Sequence, residues 1–277
     1  MRRSTRRPQL KRDPLGASPV RSYQMTGTDP VLIDPLTVSS LLLETAANHQ
    51  PLGTATGFCV RKGDSTYLIT NWHVLSGRNP DTGGLLSPTG AVPDEVRIVH
   101  HATAGLGNWV VATQPLLDGT GRRKWIEHPL GHTIDVVALP VIPQNGVSYY
   151  PLDLDLADFD MLVQVAMPVS IIGFPFGLTT VGAFPIWKTG HIASDPDLDY
   201  GGRPAFLIDA TTRGGMSGSP VVLRLYGGYA TSRAAMKLGG GPGTRFLGVY
   251  SGRIHDQAEI GRVWRPSVVR EILAVAP

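Results

Sequence analysis

Three residues of different chemistry stand in short segments far apart along the chain. His73 lies in Thr70-Asn71-Trp72-His73-Val74, Asp135 in Ile134-Asp135-Val136-Val137-Ala138-Leu139, and Ser217 in Gly215-Met216-Ser217-Gly218-Ser219-Pro220. A serine hydroxyl is a poor nucleophile near neutral pH. It becomes a useful one when an imidazole takes its proton and a carboxylate holds that imidazole in the right tautomer. The set could therefore transfer an acyl group from a peptide carbonyl to water. Ser217 would attack, His73 would act as the base, and Asp135 would orient His73. The backbone N–H groups of Gly215 and Ser217 would hold the oxyanion. Glycine suits position 215, because an N–H turned toward a substrate often needs a backbone conformation that a side chain obstructs.

The order of the three narrows the architecture. An α/β-hydrolase would carry its acid and histidine after the nucleophile, within a G-x-S-x-G elbow. Here Ser219 replaces the second glycine of that elbow, and His255 is the only histidine after Ser217, with no acid between Ser217 and the His255 position. The order His, Asp, Ser is instead that of chymotrypsin-type enzymes.

On these segments the chain resembles a trypsin-like serine peptidase of the bacterial kind, similar to the high-temperature-requirement peptidases and the glutamyl endopeptidases. Weaker matches lie at Gly173-Phe174-Pro175-Phe176-Gly177, Gly190-His191-Ile192-Ala193-Ser194 and Leu247-Gly248-Val249-Tyr250-Ser251-Gly252. The resemblance runs from about Gly53 to the C-terminus. It implies an all-β chymotrypsin-like fold of two six-stranded antiparallel barrels, with a short N-terminal helix and a C-terminal helix. It also implies a substrate-binding wall built from Thr211, Thr212, Tyr250, Ser251 and Gly252. Two departures from trypsin stand out. Met216 takes the place of the acid that pairs with a newly cleaved N-terminus, so that activation route is closed. Thr211 takes the place of the acid at the base of the specificity pocket, so a substrate Lys or Arg has no counter-charge there. Uncharged or small residues are expected instead, and Arg253 near the wall leaves room for an acidic one.

The elements that must position these residues can be read from local pattern. Asp34-Pro35 reads as an N-cap and first helical position, with Val38, Leu41, Leu42 and Thr45 on one face of a helix to about Asn48. Gly53 to Arg61 and Thr66 to Thr70 read as strands about a Lys62-Gly63-Asp64-Ser65 turn, which places His73 just past a strand end. Residues 76–94 form a long loop. Further strands are expected at Glu95 to His100, Asn108 to Gln114 and Asp135 to Val141. Asp153 to Asp160 reads as a linker. A second barrel follows, with strands at Val169 to Ile172, Ile186 to Ile192, Ala205 to Ile208, Pro220 to Leu225 and Phe246 to Tyr250. Ser267 would cap a helix from Val268 to Val275. The domains read as a basic tail over 1–30, helix and first barrel over 31–155, and second barrel over 156–277.

Composition sets the bounds. The 277 residues are 42% hydrophobic, with mean hydropathy near zero, which suits an ordinary globular core. No apolar run approaches the ~20 residues that span a bilayer. Cys59 is the only cysteine, which excludes an intrachain disulfide and fits a reducing, cytoplasmic setting. The first residues are charged without a following apolar segment, unlike a secretory signal. Residues 1–21 carry seven Lys or Arg against one Asp, a net of +6; the whole chain is +3, so the rest sums to −3. Such a tail suits contact with nucleic acid or an activating partner. Its prolines and few apolar residues suit a solvated leader better.

Other reactive-looking residues read as structural. His100 and His101 are adjacent and would face opposite sides of a strand, so they could not jointly grip a metal. His132 lacks the apolar context of a base, and the resemblance places His191 away from the three reactive residues. Gly239-Gly240-Gly241-Pro242-Gly243 is not followed by the Lys-Ser/Thr of a phosphate loop. Cys59 reads as a small buried hydrophobe. No metal or cofactor is expected, and the partner is a protein or peptide substrate. The alternative from another class is a non-catalytic peptide-binding module on a peptidase fold.

Overall fold

The computed structural model describes residues 32–233, 235–255 and 257–277. The tail expected over 1–30 lies outside them. Sixteen strands and three short helices make up the described chain. The first half holds β1 (Ser40–Ala47), β2 (Gln50–Lys62), β3 (Ser65–Thr70), β4 (Glu95–Ala102), β5 (Trp109–Pro115), β6 (Ile126–Glu127), β7 (Val137–Pro140) and β8 (Val147–Ser148). The second half holds β9 (Pro168–Gly173), β10 (Ile186–Ile192), β11 (Ala205–Asp209), β12 (Pro220–Leu225), β13 (Gly228–Ala230), β14 (Met236–Leu238), β15 (Gly243–Arg253) and β16 (Ile260–Trp264). The helices are α1 (Pro35–Ser39), α2 (Trp72–Ser76) and α3 (Pro266–Val275). No helix among the described residues is long and apolar enough to cross a membrane.

The two halves close differently. In the second, β10-β11-β16-β15-β12-β9 form a closed six-stranded antiparallel barrel, while β13 and β14 make a separate hairpin. In the first, eight strands pair in the open order β5-β4-β1-β2-β3-β7-β6, with β8 on β4. The expectation of two six-stranded barrels is thus met by one closed barrel. Between β5 and β6 the described residues show an isolated bridge, Leu117 to Arg123, in place of a ladder. Pro115 ends β5 without an N–H to donate, and β6 has only two residues, which shortens both edges where closure would occur.

The helix expected to run to about Asn48 ends after one turn. Asp34 caps it as expected, its carboxylate accepting the Leu36 N–H at 2.9 Å. Leu41, Leu42 and Leu43 are then buried on both faces, and this stretch pairs with β2 on one side and β4 on the other. Burial of three successive leucines on a two-sided strand outweighs the helical spacing of the sequence. At the other end of the chain, Arg265 rather than Ser267 is the N-cap of α3, because Pro266 already occupies the first helical position. The expected linker around 153–160 contains a 3-10 turn, Leu154–Asp158, opened by the Asp153 side chain.

Val268, Val269, Ile272 and Leu273 of α3 enter one apolar cluster with Phe58, Tyr67 and Ile69 of the first half and Phe246, Val249 and Trp264 of the second. The helix is therefore a wedge shared by both halves. The chain end adds to this, with Lys62 Nζ donating to the Ala276 carbonyl and Tyr67 Oη to the Pro277 carbonyl. Removing a large side chain from such a cluster costs ~3–5 kcal/mol, so the helix contributes to the stability of both halves at once.

Candidate active site

His73 is delivered by a strand and a short helix. β3 ends at Thr70, Asn71 turns the chain in extended conformation, and α2 begins at Trp72. Gly77, in left-handed conformation with φ 64°, stops that helix after five residues. The Trp72 indole donates to Glu127, which also accepts from Trp125 and Arg123, so the residue next to His73 is braced.

Asp135 precedes β7, just after a 3-10 turn over Gly131–Thr133. It is 1% exposed, and a carboxylate so deep needs donors. The donors come from His73 at both ends: its backbone N–H reaches Oδ1 at 2.8 Å and its ring Nδ1 reaches Oδ2 at 2.7 Å. The Asn71 amide holds the Asp135 carbonyl at 2.6 Å. When Asp135 is ionised and the ring is neutral, the carboxylate can only accept, which places the hydrogen on Nδ1 and leaves Nε2 a lone pair. That nitrogen lies 3.0 Å from Ser217 Oγ. The three residues, 62 and 144 positions apart in pairwise separation from His73, thus form one hydrogen-bonded chain.

Ser217 sits in the turn between β11 and β12. Gly215 has φ 93° and Gly218 φ 86°, a region that side chains avoid. Space excludes a side chain as well. A Cβ on Gly215 would come within 2.2 Å of the Phe174 carbonyl, and one on Gly218 within 2.1 Å of the Thr56 carbonyl. The Phe176 N–H donates to the Gly214 carbonyl at 2.6 Å. A trans peptide points its N–H opposite to its C=O, so this bond turns the Gly215 N–H away from Phe176. Among the described residues, neither the Gly215 N–H nor the Ser217 N–H has a hydrogen-bond acceptor.

Two clefts meet at His73. One, of about 730 Å³, is lined by Asn79, Asp81, Leu86, Ser251, Gly252, Arg253, His255 and Arg262. The other, of about 210 Å³, is lined by Leu52, Gly53, Thr54, Val74, Pro93 and Ser217. The ladder between β15 and β16 is interrupted between Tyr250 and Arg253, where Ser251 and Gly252 border the larger cleft.

The residues expected in the substrate wall separate. Ser251 and Gly252 line the cleft and Thr211 is exposed. Thr212 and Tyr250 are each 1% exposed and bonded to each other through their hydroxyls. Burial pushes the Tyr250 phenol up to about 12, so this pair is neutral. Met216 is wholly buried in an apolar cluster with Val169, Ile171 and Phe206, far from any role for a charge. His132, exposed, lies against the Trp72 ring at 5.3 Å; His191 is exposed on β10. Cys59 is buried and its thiol is pushed up to about 12 by burial, which suits an inert core residue. Among the described residues no cluster of His, Cys, Asp and Glu has the form of a metal site. Thr56 and Phe176, which touch the Ser217 turn, are residues that the sequence did not single out for function.

The chain belongs to the trypsin-like peptidase domain family, whose model matches residues 55–227, and it is a peptidase of the serine type. No curated protein matches it in sequence. Among solved structures it is similar to the active form of the Rv3671c protease from M. tuberculosis, at 20% identity over 96% of this chain and 93% of that one, with a TM-score of 0.47. It is also similar to the thermostable serine protease AL20 from an extremophilic microorganism, at 13% identity over 87% and 98%, with a TM-score of 0.49. The serine endoprotease of Yersinia pestis is similar at 12% identity over 88% and 66%, with a TM-score of 0.47.

Proposed function

We propose that this peptidase cleaves peptide bonds within a chain through an acyl-enzyme formed on Ser217. The observation that carries the reading is the continuous Asp135–His73–Ser217 hydrogen-bond chain, at 2.7 and 3.0 Å. As Ser217 Oγ bonds to the substrate carbonyl carbon, its proton passes to His73 Nε2. Asp135 stabilises the imidazolium, and the proton then goes to the leaving amine. Water then takes the place of Ser217: His73 accepts its proton, its oxygen attacks the acyl carbon, and as the acyl–Oγ bond breaks His73 returns the proton to Ser217 Oγ. The unpartnered N–H groups of Gly215 and Ser217 support an oxyanion hole, since they are fixed before any charge develops.

An extended substrate would lie across both clefts, adding to the backbone of β15 at Ser251 and Gly252 as an extra strand. The side chain before the scissile bond would then enter between the turn at 211–216 and β15. The turn and β15 are joined there by the neutral Thr212–Tyr250 pair, which offers no counter-charge. This favours small, uncharged residues. Digestion of a peptide library, with Ser217→Ala as control, tests both parts. Cleavage after small residues by the wild-type chain alone is expected; dominant cutting after Lys or Arg rejects the specificity, and cutting by the Ser217→Ala chain rejects the nucleophile.

A further inference from the structure

An oxyanion hole made of two backbone N–H groups is only as precise as whatever holds their peptides. Around Ser217 that support comes from outside the turn. Thr56 lies on β2 in the other half of the molecule and is 0% exposed. Its hydroxyl donates to the Gly215 carbonyl at 2.8 Å. The same oxygen accepts the Phe174 N–H at 3.1 Å, which commits the single hydroxyl hydrogen to Gly215. Its backbone N–H donates to the Ser217 carbonyl at 2.9 Å. Its carbonyl accepts the Thr70 hydroxyl at 2.8 Å, three residues before His73.

The carbonyls of Gly214, Gly215 and Ser217 are therefore pinned in turn by Phe176, the Thr56 hydroxyl and the Thr56 N–H. The turn is closely enclosed, because a Cβ added to Gly215 or Gly218 would meet the Phe174 or Thr56 carbonyl at 2.2 or 2.1 Å. The Gly215 carbonyl belongs to the peptide that carries the Met216 N–H, which lies between the two peptides bearing the unpartnered Gly215 and Ser217 N–H groups, so fixing it limits how both neighbours can turn. We propose that Thr56 is a positioning residue for the transition state: it touches no substrate, and its hydroxyl acts through the Gly215 carbonyl to aim the oxyanion donors. The proposal rests on the acyl-transfer reading of Ser217.

The test compares three variants of the full chain. Thr56→Val keeps the shape and removes the hydroxyl, Thr56→Ser keeps the hydroxyl, and Thr56→Ala provides a smaller hydroxyl-free partner for Ser should Val fail to fold. Active sites are counted by fluorophosphonate titration, and kcat and KM are measured per titrated site on a peptide that the wild type cuts. A peptide boronate, whose oxygen occupies the hole once boron bonds to Ser217, supplies an independent affinity. Loss of a whole oxyanion donor costs ~10²–10³ in kcat, and a displaced one is expected to cost ~10–100-fold. The Val and Ala chains should lose that factor in kcat and in boronate affinity, with KM changed less than about threefold; Ser should stay within about threefold of wild type. A merely structural role would lower the melting temperature and the titratable fraction while leaving kcat per site unchanged, which overturns the proposal. So does a Ser chain as impaired as Ala. A wild-type chain silent toward both peptide and probe would instead overturn the acyl-transfer reading, and the Thr56 proposal with it.

Discussion

Histidine occupies two contrasting environments in the first half of this molecule. His73 stands at the mouth of two clefts with 18% of its side chain exposed, a buried carboxylate on one ring nitrogen and a hydroxyl on the other. His100 and His101, next to each other on β4, are each 1% exposed and face rings instead of charges. Tyr149 lies 5.3 Å from His100, and Trp109, Tyr150 and Phe184 surround His101 at 4.6 to 5.8 Å. His101 Nε2 reaches the Val38 carbonyl at 3.1 Å, while His100 Nε2 and His101 Nδ1 have no partner among the described residues. Burial pushes both imidazoles down to about 4, with the neighbouring His101 adding to the effect on His100. The lesson is that burial alone silences an imidazole. Reactivity needs an anion on one nitrogen and a proton donor on the other, with the cationic form stabilised rather than penalised.

The largest effects should fall on the site. Ser217→Ala and His73→Ala are expected to lower kcat by ~10⁶ on a cleavable peptide, with the fold retained by circular dichroism. Asp135→Asn keeps the geometry but offers its amide N–H to His73 Nδ1, favouring the wrong tautomer, and should cost ~10⁴ in kcat. Activity of that variant within tenfold of wild type would mean that His73 is oriented by something else. Gly215→Ala combines a φ of 93° with a 2.2 Å clash and should cost at least the ~10²–10³ of a lost oxyanion donor.

The buried pair should show itself in stability, not activity. The ordinary histidine value is 6.5, and both folded values lie near 4. Between these limits the unfolded chain binds more protons than the folded one, so stability is complete above about pH 6.5 and falls as pH drops toward 4. The loss is on the order of 3 kcal/mol for each histidine. Melting temperatures measured from pH 7.5 to 4.5 should decline less steeply in His101→Phe than in wild type. Equal slopes would place the acid sensitivity elsewhere. The smallest effect concerns Cys59: with its thiol near 12, a maleimide at pH 8 should leave it unmodified in the folded chain and modify it on unfolding.

The contrast also marks what the sequence could and could not disclose. The strand Pro220–Leu225 ends where its apolar run ends, since β9 and β15 pair with it on either side and bury its first four residues. The run Val38 to Thr45 was ambiguous by nature: leucines at helical spacing serve equally well on a strand buried on both faces, and only the pairing with β2 and β4 decides. β16 escaped notice because Gly261 and Arg262 interrupt its apolar residues. Gly261 is there to admit the Tyr250 ring, which would lie 2.4 Å from a Cβ. In the site, His73, Asp135 and Ser217 were legible because their chemistry demands those side chains. Thr56 was not, because its contacts are with backbone atoms up to 161 residues away and leave no local pattern. The burial of Thr212 and Tyr250 was hidden for the same reason.

The central claim is that Asp135 and His73 activate Ser217, and covalent labelling of the full chain by a fluorophosphonate followed by peptide mapping tests it most directly. The account predicts an adduct on Ser217 that forms in the wild type and is lost in His73→Ala. No adduct under conditions that label a known serine peptidase, or an adduct on another serine, would contradict it.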